Sequence, residues 1–160
     1  MANLEGIIAT FGPALARLAA SYEADTALQE DLLQEIMLAV HRALPSLKDQ
    51  DRIAPFVFRI AHNRSVTHVI RQSARRRLPV LTEPQSDGST PEENLLSNER
   101  SHRLTTAVRR LPLPYRQVIT LVLEDLSYAE IAEALGLSIS NVGVRVNRAK
   151  AQLKAMLNDR

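Results

Sequence analysis

A run in the middle of the chain, LPVLTEPQSDGSTPEENL from Leu78 to Leu95, breaks any helix that enters it and buries little apolar surface. Pro79, Pro84, Gly88 and Pro91 interrupt it among Ser, Thr, Asp and Glu, a composition that reads as a linker. The chain must therefore fold as two units, of about 75 residues before the linker and about 65 after it. Units of that size are only marginally stable alone, so a partner that clamps both is expected. The boundaries fall at residues 1–77, 78–97 and 98–160.

Aromatic residues make up 4% of the chain and Trp is absent, so the cores must be built from Leu, Ile, Val and Ala. That favours helices over sandwiches, and the expected fold class is all-α, two small helical domains on a flexible linker. In the first unit Leu28, Leu32, Ile36, Ala39, Val40 and Ala43 recur at helical spacing, widened by Leu33, Met37 and Leu44 and stopped by Pro45. An earlier run, Leu15, Leu18, Ala19 and Tyr22, and a later one, Val57, Ile60, Ala61, Val66, Val69 and Ile70, would pack on it as a small bundle. In the second unit one helix is expected around Arg100 to Arg110. Another should begin at Pro114 and run through Leu123, because proline's missing amide costs nothing in a first turn.

The most specific local pattern comes next. Ser127, Tyr128, Ala129 and Glu130 form a capping box, in which hydroxyl and carboxylate satisfy each other's orphan amides and fix a helix start. Ile131, Ala134 and Leu135 give that short helix its buried face, Gly136 supplies a left-handed cap, and Leu137 plugs the turn. Ser138 then caps a second helix running to about Leu157. Helix, glycine turn, helix is a DNA-reading unit whose second helix enters the major groove by its N-terminal residues, here Ser140, Asn141, Val144 and Arg145, with Arg148 one turn further. Val142, Val146, Ala149 and Leu153 form the opposite, buried stripe.

Charge is segregated to match. Residues 1–77 carry ten basic and eight acidic groups, residues 78–95 carry none and four, and residues 96–160 carry ten and six. Within the first unit Arg59, Arg64, Arg71, Arg75, Arg76 and Arg77 share a stretch with no carboxylate. In the second, Arg145, Arg148, Lys150 and Lys154 do the same. Two acid-free basic stretches are the electrostatic footprint of a nucleic-acid partner.

Other classes are poorly served. There is no nucleotide-binding glycine loop, nucleophile elbow or cysteine, and His41, His62, His68 and His102 are not spaced to stack two imidazoles one turn apart. Neither catalysis, a cofactor, a metal nor a small-molecule substrate is expected. No apolar run approaches a membrane span and the N-terminus lacks a basic signal region, so a cytoplasmic protein without membrane insertion is expected. A free-standing homodimeric helix-turn-helix repressor or activator, and a protein-binding adaptor, are the rival readings.

These residues resemble a known family. Leu111-Pro112, Tyr115-Arg116-Gln117-Val118, Leu126 to Ala132, Gly136-Leu137-Ser138, Asn141-Val142 with Arg145, and Arg148-Ala149 are similar to the C-terminal signature of group IV, extracytoplasmic-function sigma factors. Glu30 to Glu35 and Phe56 to Asn63 resemble the N-terminal signature, so the likeness covers nearly the whole chain. The resemblance implies sigma domain 2 in residues 1–77, sigma domain 4 in residues 98–160, and a role in binding bacterial RNA polymerase core and directing promoter recognition, -10 melting and initiation.

In that family the helix matching Asp31 to Leu44 docks on the beta-prime clamp helices, and the beta subunit is a further contact. The implied core-binding residues are Asp31, Gln34 and Glu35, in an acidic stretch that also holds Glu23, Asp25 and Glu30 without Lys or Arg. The implied -10 contacts are Phe56, Phe58, Arg59, Asn63, Arg64, Thr67, Arg71, Arg75 and Arg76, with His62 and His68 as further flat rings and Asn63 at the base-capture turn. The implied -35 contacts are Ser138, Ser140, Asn141, Val144, Arg145 and Arg148. An anti-sigma factor that occludes both domains is the implied regulator. Phe56 stands where the family usually has Trp and Thr67 where it has Asp, and Asn141, Gly143 and Val144 depart from its recognition helix. Gly143 costs about 1 kcal/mol in a helix relative to Ala, so it serves either close approach to DNA or packing against a neighbour.

Overall fold

A computed structural model describes residues 3–77 and 97–158. Its helices are α1 (Leu4–Tyr22), α2 (Thr26–Ala43), α3 (Ile53–Arg77), α4 (Ser97–Arg110), α5 (Leu113–Leu123), α6 (Tyr128–Leu135) and α7 (Ile139–Asn158), with two 3-10 turns, Leu44–Ser46 and Gln50–Arg52, before α3. Among the described residues there is no strand, in line with a composition that favours helices. Residues 78–96, nearly all of the expected linker, lie outside the described residues.

Side-chain caps set where the first helices begin. Asn3 accepts from the Gly6 amide at 2.7 Å to open α1, and Asp25 accepts from the Leu28 amide at 3.1 Å to open α2. His41 and Arg42 in the last turn of α2 suit the negative end of its dipole, and Pro45 tightens the chain into a 3-10 turn. The first unit closes over Leu15, Leu18, Ala19, Leu32, Ile36, Val40, Val57, Phe58 and Ala61, with Phe11 edge-on to Phe58 at a centroid distance of 5.9 Å. Ile70, expected on the packing stripe of α3, is instead 60% exposed, whereas its neighbour Val69 packs against the core.

The second unit buries Val108, Leu111, Val118, Leu121, Ile131, Ala134, Val142, Val146 and Ala149. The two units are packed against each other, and their buried residues form one cluster. Arg109 Nε donates to the Ala20 carbonyl at 2.7 Å, and Arg17 makes a two-pronged contact with Glu124 at 2.7 and 2.8 Å. Arg52 pairs with Glu133 at 2.7 Å. The Arg116 guanidinium lies 5.6 Å from the centre of the Tyr22 ring, and burial pushes the Tyr22 phenol up to about 12. The same burial lowers the Arg116 pKa, while its Nη2 donates to the Arg109 and Leu111 carbonyls. No helix among the described residues is long and apolar enough to cross a membrane.

Candidate nucleic-acid interface

The helix-turn-helix is assembled by local hydrogen bonds. The Ser127 amide donates to Glu130 Oε1 at 2.9 Å and the Glu130 amide donates to Ser127 Oγ at 3.1 Å, which closes the capping box and starts α6. Gly136 ends it at φ 69°, ψ 37°, a conformation in which any side chain is strained, and the Leu137 amide returns to the Ala132 carbonyl at 2.9 Å. Ser138 Oγ then accepts from the Asn141 amide at 3.1 Å and opens α7. Val142, Val146, Ala149 and Leu153 anchor α7 from below. That leaves Ser138, Ser140, Asn141, Val144 and Arg148 exposed on its outer side, with Arg145 half-buried at the margin. Asn147 shares this outer side and was not singled out from the sequence, although its spacing from Val144 carries the signal. A Cβ on Gly143 would stand 3.8 Å from the Tyr128 ring, so this glycine sits beside α6.

On α3 the expected -10 residues separate. Asn63, Arg64, Thr67, Arg71, Arg75 and Arg76 are all exposed, and Thr67 turns its hydroxyl back onto the Asn63 carbonyl at 3.0 Å. Phe58 is 2% exposed and packs on Phe11, which withdraws it from any role as a base platform. Phe56 is half-buried at an open cleft lined by Leu47, Arg52, Arg59 and Glu133. His62 is buried too, and desolvation lowers its pKa to about 4, so the ring is neutral and belongs to the core. His68 is turned inward, 2.8 Å from Glu23 Oε1. Arg77 has no described side chain.

Arg59 is engaged elsewhere. Its guanidinium donates to the carbonyls of Glu133 and, at 3.4 Å, Ala134, the free acceptors in the last turn of α6. A side chain expected on the -10 surface therefore caps a helix of the other unit. Neither partner of this contact carries a local signal, since the two positions are 74 and 75 residues apart.

Along α2, Asp31, Gln34 and Glu35 are exposed on one side, continued by Leu38 at the next turn. Glu23 does not belong with them. It is buried, pairs with His68, and accepts from the Asp25 amide at 2.8 Å. The acidic surface of the first unit is thus narrower than the sequence implied. Among the described residues, no group of three or more His, Asp or Glu is arranged to hold a metal.

Residues 7–76 match Sigma-70 region 2 and residues 101–153 match Sigma-70, region 4. RNA polymerase sigma factor SigZ of Bacillus subtilis is 30% identical over 134 residues, which is 83% of this chain and 74% of that one. Further relatives are named ECF RNA polymerase sigma factors. Among solved structures, CnrH in complex with the cytosolic domain of CnrY matches with a TM-score of 0.72 and 27% identity, over 98% of this chain and 89% of that one. The sigma factor RpoE in complex with the anti-sigma factor NepR, from Bartonella quintana, shares the fold with a TM-score of 0.76 at 21% identity over 98% of each chain.

Proposed function

Because this chain belongs to the sigma-70 family of RNA polymerase sigma factors, in its extracytoplasmic-function class, we propose that its two units divide the work of initiation. Residues 1–77 hold polymerase core through Asp31, Gln34 and Glu35, and hold the melted -10 strand through Asn63, Arg64, Thr67, Arg71, Arg75 and Arg76. Residues 98–160 read the -35 element through Ser138, Ser140, Asn141, Val144, Arg145 and Arg148. The observation that carries this is the presence of region 2 and region 4 in one chain, each turning an acid-free polar face outward. Exposed Arg residues on α3 neutralise phosphate and position the strand, while Asn63 offers an amide to a base edge. On α7, Asn141 suits a bidentate contact to adenine and Arg145 one to guanine, each worth roughly 1–3 kcal/mol of discrimination.

The packing of the two units has a consequence for this role. Arg59 is bonded to α6, so bringing it to the -10 strand requires its bonds to the Glu133 and Ala134 carbonyls to break. The chain is itself a specificity subunit without catalysis and acts in the cytoplasm, where its polymerase is. An anti-sigma partner is its regulator in this reading, supported by the complexes in which the similar structures were solved. A homodimeric repressor has no support in the family assignment.

In vitro transcription with purified bacterial core polymerase, with and without this protein, on a library of bacterial DNA fragments tests the proposal. Discrete new transcripts that vanish with Asp31→Ala and Glu35→Ala together are expected. Sequence-specific binding of the protein alone as a dimer, with no new transcript, overturns it.

A further inference from the structure

The outer side of α7 has an apolar centre. Val144 is 47% exposed, and its neighbours one turn away on that side are Ser140 and Asn141 before it and Asn147 and Arg148 after it, all exposed. No carboxylate lies anywhere on α7. A single exposed valine is ordinary on a protein surface. One ringed by four hydrogen-bonding side chains, on the face a region 4 helix turns to DNA, is a different matter.

From this arrangement we infer that Val144 reads the methyl group of a thymine in the -35 element, and so fixes one position of the promoter that no hydrogen bond specifies. The inference rests on the proposed reading of α7 as the -35 helix. Its chemistry follows from what the major groove offers. The other groups by which base pairs are told apart there are donors and acceptors, and the thymine C5 methyl is the one alkyl group. An isopropyl group pressed against a donor or acceptor would strip it of water and give nothing back, which is costly. Against a thymine methyl the same contact buries two apolar surfaces. Val144 is also β-branched, so in a helix it holds one side-chain rotamer and spends little entropy on the contact. The four polar neighbours are left to bond the flanking bases and phosphates, which fixes the register in which Val144 meets its base.

The experiment begins with holoenzyme, made from bacterial core polymerase and this chain, selecting active promoters from templates randomised in the -35 element. In the selected promoter each -35 thymine, on either strand, is then replaced singly by deoxyuridine, which removes the methyl and leaves the pairing edge. At one thymine this change is expected to lower transcript yield about fourfold, the worth of one buried methyl. Val144→Ala is expected to lower yield by a similar factor on the thymine template and to be insensitive to deoxyuridine at that position. Alanine is the better helix former and the side chain is half exposed, so the variant keeps its fold, which circular dichroism checks. If no -35 thymine responds to loss of its methyl, or if Val144→Ala responds as the parent does, the inference falls and the sigma-factor reading stands. If no template gives a transcript, both fall together.

Discussion

Replacing His62 by Gln tests whether the α3 imidazole is core or DNA surface. The ring is buried, and desolvation holds its pKa at about 4 against an ordinary value of 6.5. Below about pH 6.5 the unfolded chain takes up a proton at this ring, whereas the folded chain does not until about pH 4. Across that interval the unfolded state binds more protons, so stability is full above pH 6.5 and falls as pH is lowered. At about 1.4 kcal/mol per pH unit, the loss between pH 7 and pH 4.5 is about 2 kcal/mol. Urea unfolding followed by far-ultraviolet circular dichroism at a series of pH values measures it. Carboxylates also contribute to acid destabilisation, but they do so equally in parent and variant, so the difference between the two isolates His62. The expected result is that His62→Gln loses about 2 kcal/mol less than the parent over this range. Identical slopes would refute the reasoning and return His62 to the solvent-facing side of α3.

Gly136→Ala forces an L side chain into the left-handed region, where φ is 69°, and is expected to cost about 1–2 kcal/mol in urea unfolding, although nothing stands close enough to clash. Phe58→Ala is expected to cost about 3–5 kcal/mol in the same assay, as a core aromatic should, whereas Asn63→Ala leaves stability unchanged and lowers transcription. Arg17→Ala removes the contact with Glu124, yet the Arg17 side chain is 63% exposed, so its effect on stability is expected to stay below about 1 kcal/mol.

Interfaces between helices were the part of this molecule that local pattern could not reach. Glu23 reads as one more charge in an acidic stretch, and only the approach of α3 turns it inward onto His68, 45 residues away. Phe56 and Phe58 are two residues apart on one helix, and which of them is core depends on where Phe11 of α1 stands. Ile70 fits the apolar spacing of α3 but is left exposed. Arg59 looks like its basic neighbours until α6 presents two carbonyls to it. The Arg109, Arg116 and Arg17 contacts that join the two units likewise link positions far apart in the chain.

By contrast, everything governed by contacts within a turn or two could be read directly. The capping box, the left-handed glycine, the Ser138 cap and the Val142, Val146, Ala149, Leu153 stripe all depend on residues three or four positions apart, where the chain itself enforces proximity. Sequence alone thus determined the helices, the helix-turn-helix and which side of its second helix is left exposed. Tertiary structure decided which charges of the first unit remain available, because a guanidinium or carboxylate is committed by whichever group the fold brings within hydrogen-bond range, as Arg59 and Glu23 are, and that distance is not written in any local repeat.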